Sequence, residues 1–79
     1  MFSWSVYIIQ SLKDGILYTG ITNNLEKRLK AHNDGCGAKY TRGRGPFILL
    51  KVFDVANKSE ALKLEFKIKQ LSREEKLKL

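Results

Sequence analysis

A single cysteine, Cys36, and a single histidine, His32, stand in a chain of 79 residues. One cysteine closes no internal disulfide, and with one histidine it cannot fill a four-ligand zinc site, so packing alone must hold the fold together. Long apolar runs are missing too: none approaches the ~18–20 residues that a bilayer span needs. The first residues, MFSWSVYIIQ, carry no basic leader region and no small-residue cleavage site, which predicts a cytoplasmic protein. Acidic residues are outnumbered, with 8 Asp and Glu against 15 Lys and Arg, a formal charge of +7. On so small a body that excess is the footprint of a polyanion binder, with nucleic acid the first suspect, or else of a surface kept soluble by lysine. The length allows one domain, whose folding buries only about 60–65% of the surface the unfolded chain exposes.

What is present is well punctuated. Residues 4–10, WSVYIIQ, and 16–22, ILYTGIT, are β-branched and aromatic runs either side of Asp14-Gly15, a strong hairpin signal, and should pair antiparallel. With a two-residue loop, Ser11 faces Tyr18 and Ile9 faces Gly20. A four-residue loop shifts the partners, but either even loop leaves Tyr7 and Tyr18 on one face of the sheet. Asn23 with Glu26 three residues on reads as a capping box and Gly35 as a stop, predicting a helix from Asn24 to Asn33. Residues 35–45, GCGAKYTRGRG, read as a basic, glycine-rich loop with one short turn at Ala38 to Thr41. After Pro46, FILLKVFDV predicts a third strand covered on both faces. Asn57 to Glu60 and Ser72 to Glu75 are two more capping patterns, placing a helix over 58–71 and a separate one after it. The expectation is an α+β fold, β-β-α-β-α-α, with a three-stranded antiparallel sheet.

Three hydrophilic residues break the binary pattern. At roughly 100° per residue, Leu25, Arg28, Leu29 and His32 share one helix face. On the 58–71 helix, Glu65 lies amid the apolar arc Ala61, Leu62, Leu64, Phe66, Ile68 and Leu71. Each exception has an ordinary explanation: Arg28 can snorkel, His32 can be a half-buried histidine, and Glu65 can pair with Lys69 at i,i+4. Together, and with two tyrosines on one sheet face, they mark a candidate functional site, because a carboxylate on an apolar face is costly unless paired or liganded.

At these residues the chain resembles the GIY-YIG nuclease superfamily, in its short stand-alone bacterial branch. The resemblance rests on SVY at 5–7, YTGIT at 18–22, the LEKRLKAH helix, GAKYT and EALKLEFKIKQL, and covers about residues 4–71. It implies a sheet flanked by helices that cuts nucleic-acid phosphodiesters with a divalent metal, usually magnesium. Tyr7 matches the general base or water-orienting group and Tyr18 its partner. Arg28 matches the phosphate contact, Glu65 the metal ligand and His32 a position beside the attacking water. Since nearby positive charge lowers the pKa of an acid, the Tyr7 phenolate is expected to be favoured beside a metal-bound water and Arg28. Gly20, which keeps the sheet surface open, joins Lys39, Tyr40, Arg42 and Arg44 as the candidate nucleic-acid face.

The chain departs from the family pattern in places. Ser5 stands where glycine is usual, and Val6 and Thr19 where isoleucine is. Longer members have an asparagine after the metal glutamate, and this chain has none beyond Asn57. The basic loop reads equally as a solvated loop or as one whose glycines let the backbone approach phosphates, and it is no dinucleotide or P-loop fingerprint. Two functions follow: a metal-dependent endonuclease, acting on DNA more than RNA and on branched or damaged forms, or a nucleic-acid-binding module that keeps the fold without the chemistry. Neither needs a membrane or a small-molecule cofactor.

Overall fold

The computed structural model describes residues 3–79. Its elements run β1 (Trp4–Ser11), β2 (Leu17–Thr22), α1 (Leu25–Asn33), β3 (Phe47–Val55), α2 (Lys58–Lys69) and α3 (Arg73–Leu77), the predicted α+β order. The sheet is antiparallel in the order β2-β1-β3. Among the described residues no helix is long and apolar enough to cross a membrane.

The hairpin takes the longer even loop. Ser11 N–H donates to the Ile16 carbonyl at 3.0 Å, closing the turn over Leu12 to Gly15. Ile9 therefore faces Tyr18 and Tyr7 faces Gly20, two residues from the tight-turn register, and the two tyrosines still share a face. The Ser11 side chain explains the shift, since its Oγ accepts from the amides of Lys13 and Asp14 at 3.1 and 3.2 Å and stabilises the wider turn. Gly15 takes a left-handed φ of 75°, which a side chain would strain.

Central position makes β1 the strand covered on both faces. Val6 and Ile8 pack with Ala61 and Ile68 of α2, while Tyr7 and Ile9 pack with Phe47 and with Leu25 and Leu29 of α1. That double burial is why VYII shows no alternation. The prediction gave this role to β3, whose sequence is as apolar, but β3 is an edge strand with Ile48, Leu49 and Val52 each about 40% exposed. A bulge at Leu50, where Ile8 faces Lys51 but Ile9 faces Leu49, shifts its register midway.

Two helix details also differ from expectation. Asn24, not Asn23, caps α1, its Oδ1 accepting from Lys27 N–H at 3.1 Å, because the Thr22 hydroxyl accepts from Asn24 N–H and carries the turn one residue further. On α2 the buried stripe is narrow: Ala61 and Ile68 are buried and Leu64 is half-buried, but Leu62 and Phe66 are 47% and 68% exposed. The predicted arc was too wide because one sheet face covers only one side of a helix. The helix ends at Lys69, two residues early, and the capping box at Ser72 and Glu75 starts α3. Arg73 then ties α3 to the hairpin by donating to the Gly15 carbonyl at 2.7 Å.

Truncating Ile68 to Ala should therefore cost about 2–5 kcal/mol, against about 0.5 kcal/mol or less for Phe66→Ala. Urea denaturation of the two variants checks this, and equal losses would contradict the helix orientation.

Candidate active site

The site is built on the α1 face of the hairpin. Strand alternation aims Tyr7 of β1 and Tyr18 of β2 at that face, with ring centroids 6.4 Å apart. Tyr7 is completely buried. It fits only because Gly20 lies opposite: a Cβ there would fall 2.5 Å from Tyr7 Oη and 2.7 Å from Cζ. Gly20 is itself buried, so it makes room for the phenol and is not a direct contact for a polymer.

Helix periodicity places Arg28 and His32 one turn apart over the two phenols. His32 is fully buried, its Nε2 2.7 Å from Tyr7 Oη and its Nδ1 2.8 Å from Thr41 Oγ1. Its ring lies edge-on to Phe47 and tilted to Tyr18, at 6.0 and 5.1 Å between centroids. Thr41 was not singled out from the sequence beyond its place in GAKYT. A lone threonine in a glycine-rich loop carries no signal, yet it too is fully buried here, at the end of the predicted turn where its N–H donates to the Ala38 carbonyl at 3.2 Å.

Arg28 stands beside both phenols, and hydrogen bonding to Tyr7, the largest influence, holds its guanidinium above the ordinary arginine range against the opposing effect of burial. Its Nε is buried and finds no hydrogen-bond partner. A cleft of about 250 Å³ lined by Thr22, Asn23, Asn24, Lys27, Arg28 and Ala31 opens beside it. Burial pushes the Tyr7 phenol above its usual pKa, and the charges of Tyr18 and Glu65 push the same way, outweighing the lowering effect of Arg28. Arg28 thus acts on the phenol in the expected direction, with desolvation the larger effect. His32 is depressed to about 4, by burial first and then by the Arg28 charge, and is neutral near pH 7.

Glu65 is carried by α2, the helix whose Ala61 and Ile68 pack on the Val6 and Ile8 face of the sheet. Its side chain is 18% exposed and lies 3.3 Å from Lys69 Nζ, the i,i+4 pair anticipated from spacing. Its charge is felt at Tyr7, so it belongs to the same electrostatic field. Among the described residues no three His, Cys, Asp or Glu side chains gather as a metal cage. A lone, mostly buried carboxylate fits magnesium, which keeps several waters and binds through one or two carboxylates plus substrate phosphate.

The basic loop is divided. Tyr40 is 52% exposed and stacks on Tyr18 at 6.2 Å and 26°, extending the aromatic surface outward. Arg44, expected as a free nucleic-acid contact, is engaged: it lies 5.0 Å over the Tyr40 ring and donates to Asp14 Oδ2 at 2.6 Å. Lys39 and Arg42 are exposed and form no ion pair among the described residues.

Comparison with known proteins gives the family. Residues 3–78 match the family model described as the GIY-YIG catalytic domain. The chain belongs to the GIY-YIG family. A UPF0213 protein of Clostridium perfringens is 61% identical over 74 residues, 94% of this chain and 78% of that protein. A second, from Oceanobacillus iheyensis, is 62% identical over 74 residues, 94% of this chain and 85% of its own. The solution NMR structure of a UPF0213 protein from Bacillus halodurans superposes with a TM-score of 0.55 at 48% identity, covering 92% of this chain and 77% of that one.

A neutral buried His32 has a consequence for stability. Unfolding restores its ordinary pKa of 6.5, so between pH 6.5 and about 4 the unfolded chain takes up a proton that the native state refuses. His32 is therefore expected to remove on the order of 3 kcal/mol of stability as pH falls through that window, and nothing further below it. Urea midpoints at pH 7.5 and 4.5 should separate more for wild type than for His32→Gln; an equal separation would show that His32 is not buried neutral.

Proposed function

We propose that this protein is a metal-dependent endonuclease that hydrolyses phosphodiester bonds in nucleic acid, DNA of branched or damaged form being the favoured substrate. The observation that carries the reading is Arg28, a cation whose buried Nε–H has no partner, beside a phenol also buried and a carboxylate within its field. Such a donor is poised for a phosphate oxygen, where charge-assisted hydrogen bonds are strongest.

Each role follows from chemistry. Glu65 would hold the magnesium ion, which when bound supplies a Lewis acid for the phosphate and acidifies water. Arg28 binds a non-bridging oxygen and gains most as negative charge builds in the transition state. Tyr7, neutral at rest, orients the attacking water through Oη, and Tyr18 flanks it. His32 takes no charge near pH 7 and anchors the Tyr7 hydroxyl. Tyr40 offers an exposed aromatic face, and Lys39 and Arg42 supply backbone contacts without sequence information. Binding without cutting is the second reading, favoured by Lys69 occupying Glu65 and by the lack of asparagine after it.

A panel of flaps, junctions, single strands and plain duplex, incubated with magnesium, decides between them. Wild type is expected to cut at least one substrate, to stop with chelator, and to lose the activity as Glu65→Gln. Arg28→Ala should lower turnover about 10²- to 10³-fold with a smaller loss of affinity. Equal cleavage by wild type and Glu65→Gln would mark a contaminant and defeat the assignment; tight binding with no cleavage would establish the second reading.

A further inference from the structure

The Thr41 hydroxyl carries one proton but stands near two groups. Its Oγ1 donates to the Ala38 carbonyl at 3.0 Å and lies 2.8 Å from His32 Nδ1. With the hydroxyl proton placed on the Ala38 carbonyl, which can only accept, only lone pairs face the imidazole. Nδ1 must then carry the ring proton, and in a neutral imidazole Nε2 is left bare. Across the ring the 2.7 Å contact follows: Tyr7 O–H donates to Nε2. With its proton turned inward, Tyr7 keeps its lone pairs for the Arg28 side of the site.

From this geometry we propose that Thr41 is a positioning residue that locks His32 as the Nδ1–H tautomer and thereby turns the Tyr7 hydroxyl proton away from the substrate. The opposite tautomer would have Nε2–H donate to Tyr7 and the phenol's own proton point outward at the water. It would also take the hydroxyl proton away from the Ala38 carbonyl, which would then keep only the Thr41 N–H. Thr41 can hold this place because its own N–H donates to the same carbonyl at 3.2 Å, fixing the turn, and because Gly37 closes the loop over the ring. A Cβ at Gly37 would fall 2.6 Å from His32 Cγ. The catalytic consequence rests on the endonuclease reading; the tautomer does not.

One histidine makes the test clean. With ¹⁵N-labelled histidine, long-range ¹H–¹⁵N correlation at pH 7.5 should show wild-type His32 protonated at Nδ1. Thr41→Val, close in shape but unable to accept, should shift the ring to Nε2–H, and Thr41→Ser should restore Nδ1–H. On the substrate the wild type cuts best, Thr41→Val should lower kcat at least tenfold with KM little changed, and Thr41→Ser should recover most of it. An Nε2–H ring in wild type, or an Nδ1–H ring that survives in a folded Thr41→Val, overturns the proposal, as does a full kcat in a Thr41→Val protein whose tautomer has switched. If Thr41→Val does not fold, Thr41→Ser and the wild-type spectrum still decide the tautomer. A wild type that cuts nothing refutes the endonuclease reading and leaves the spectra to judge Thr41 alone.

Discussion

The arrangement depends on one buried hydroxyl. Tyr7 sits at the centre of the central strand with no exposure, and an unpaired hydroxyl there would cost about 1–3 kcal/mol. Everything around it answers that cost. Gly20 on the neighbouring strand vacates the space the ring fills, α1 brings His32 over the oxygen, and the 35–45 loop closes on the far side of the imidazole. The chain of contacts runs from strand to helix to loop and crosses every element that faces α1. In a domain with so small a core, the polar site and part of the hydrophobic core are therefore the same object, with Tyr7, Ile9 and Phe47 in one cluster.

That economy explains why the two faces of the sheet differ. Against α2 the packing is mostly apolar: Val6, Ile8, Ala61 and Ile68 form the contact, and Thr19, opposite Ile8, keeps a buried Oγ1 without a partner. Against α1 the same strand presents a phenol, and the helix answers with an imidazole and a guanidinium. A buried polar network of this kind specifies a single arrangement only while all its members are satisfied. Here the His32 contacts are complete on both ring nitrogens, and the open valence is displaced to the edge of the network, at Arg28 Nε.

Much of this was legible from residue order, and the parts that were not have physical reasons. The hairpin, the shared face of the tyrosines and the inward turn of Arg28 and His32 follow from periodicity, which local sequence records. The exposure of Ile48, Leu49 and Val52 does not, because whether an apolar strand is central or at an edge depends on which other strand it finds. The same holds for Phe66 and Leu62: a helical wheel gives an arc but not how much of it a sheet will cover. The Tyr7 pKa is set in part by the whole fold for a related reason. Proximity to Arg28 could be guessed from spacing, whereas the depth of burial that outweighs it is a property of the whole fold. Thr41 and Gly37 escaped notice because their importance lies in a loop's path over one ring, and loop paths leave little trace in composition.

The charge on Arg28 completes the argument. A guanidinium with part of its surface buried ordinarily has a carboxylate beside it, yet among the described residues Arg28 forms no salt bridge. Its neighbours are the phenols of Tyr7 and Tyr18, while Glu65 is paired with Lys69. The phenols can orient the cation and leave its charge unmatched, which also explains part of the depressed His32 pKa. A folded state that tolerates such an imbalance is electrostatically incomplete by itself. An anion at the Arg28 edge would pair the orphaned Nε–H, relieve the field on His32 and draw on the net charge of +7 for long-range attraction. Phosphate on a nucleic-acid backbone would meet all three demands at once.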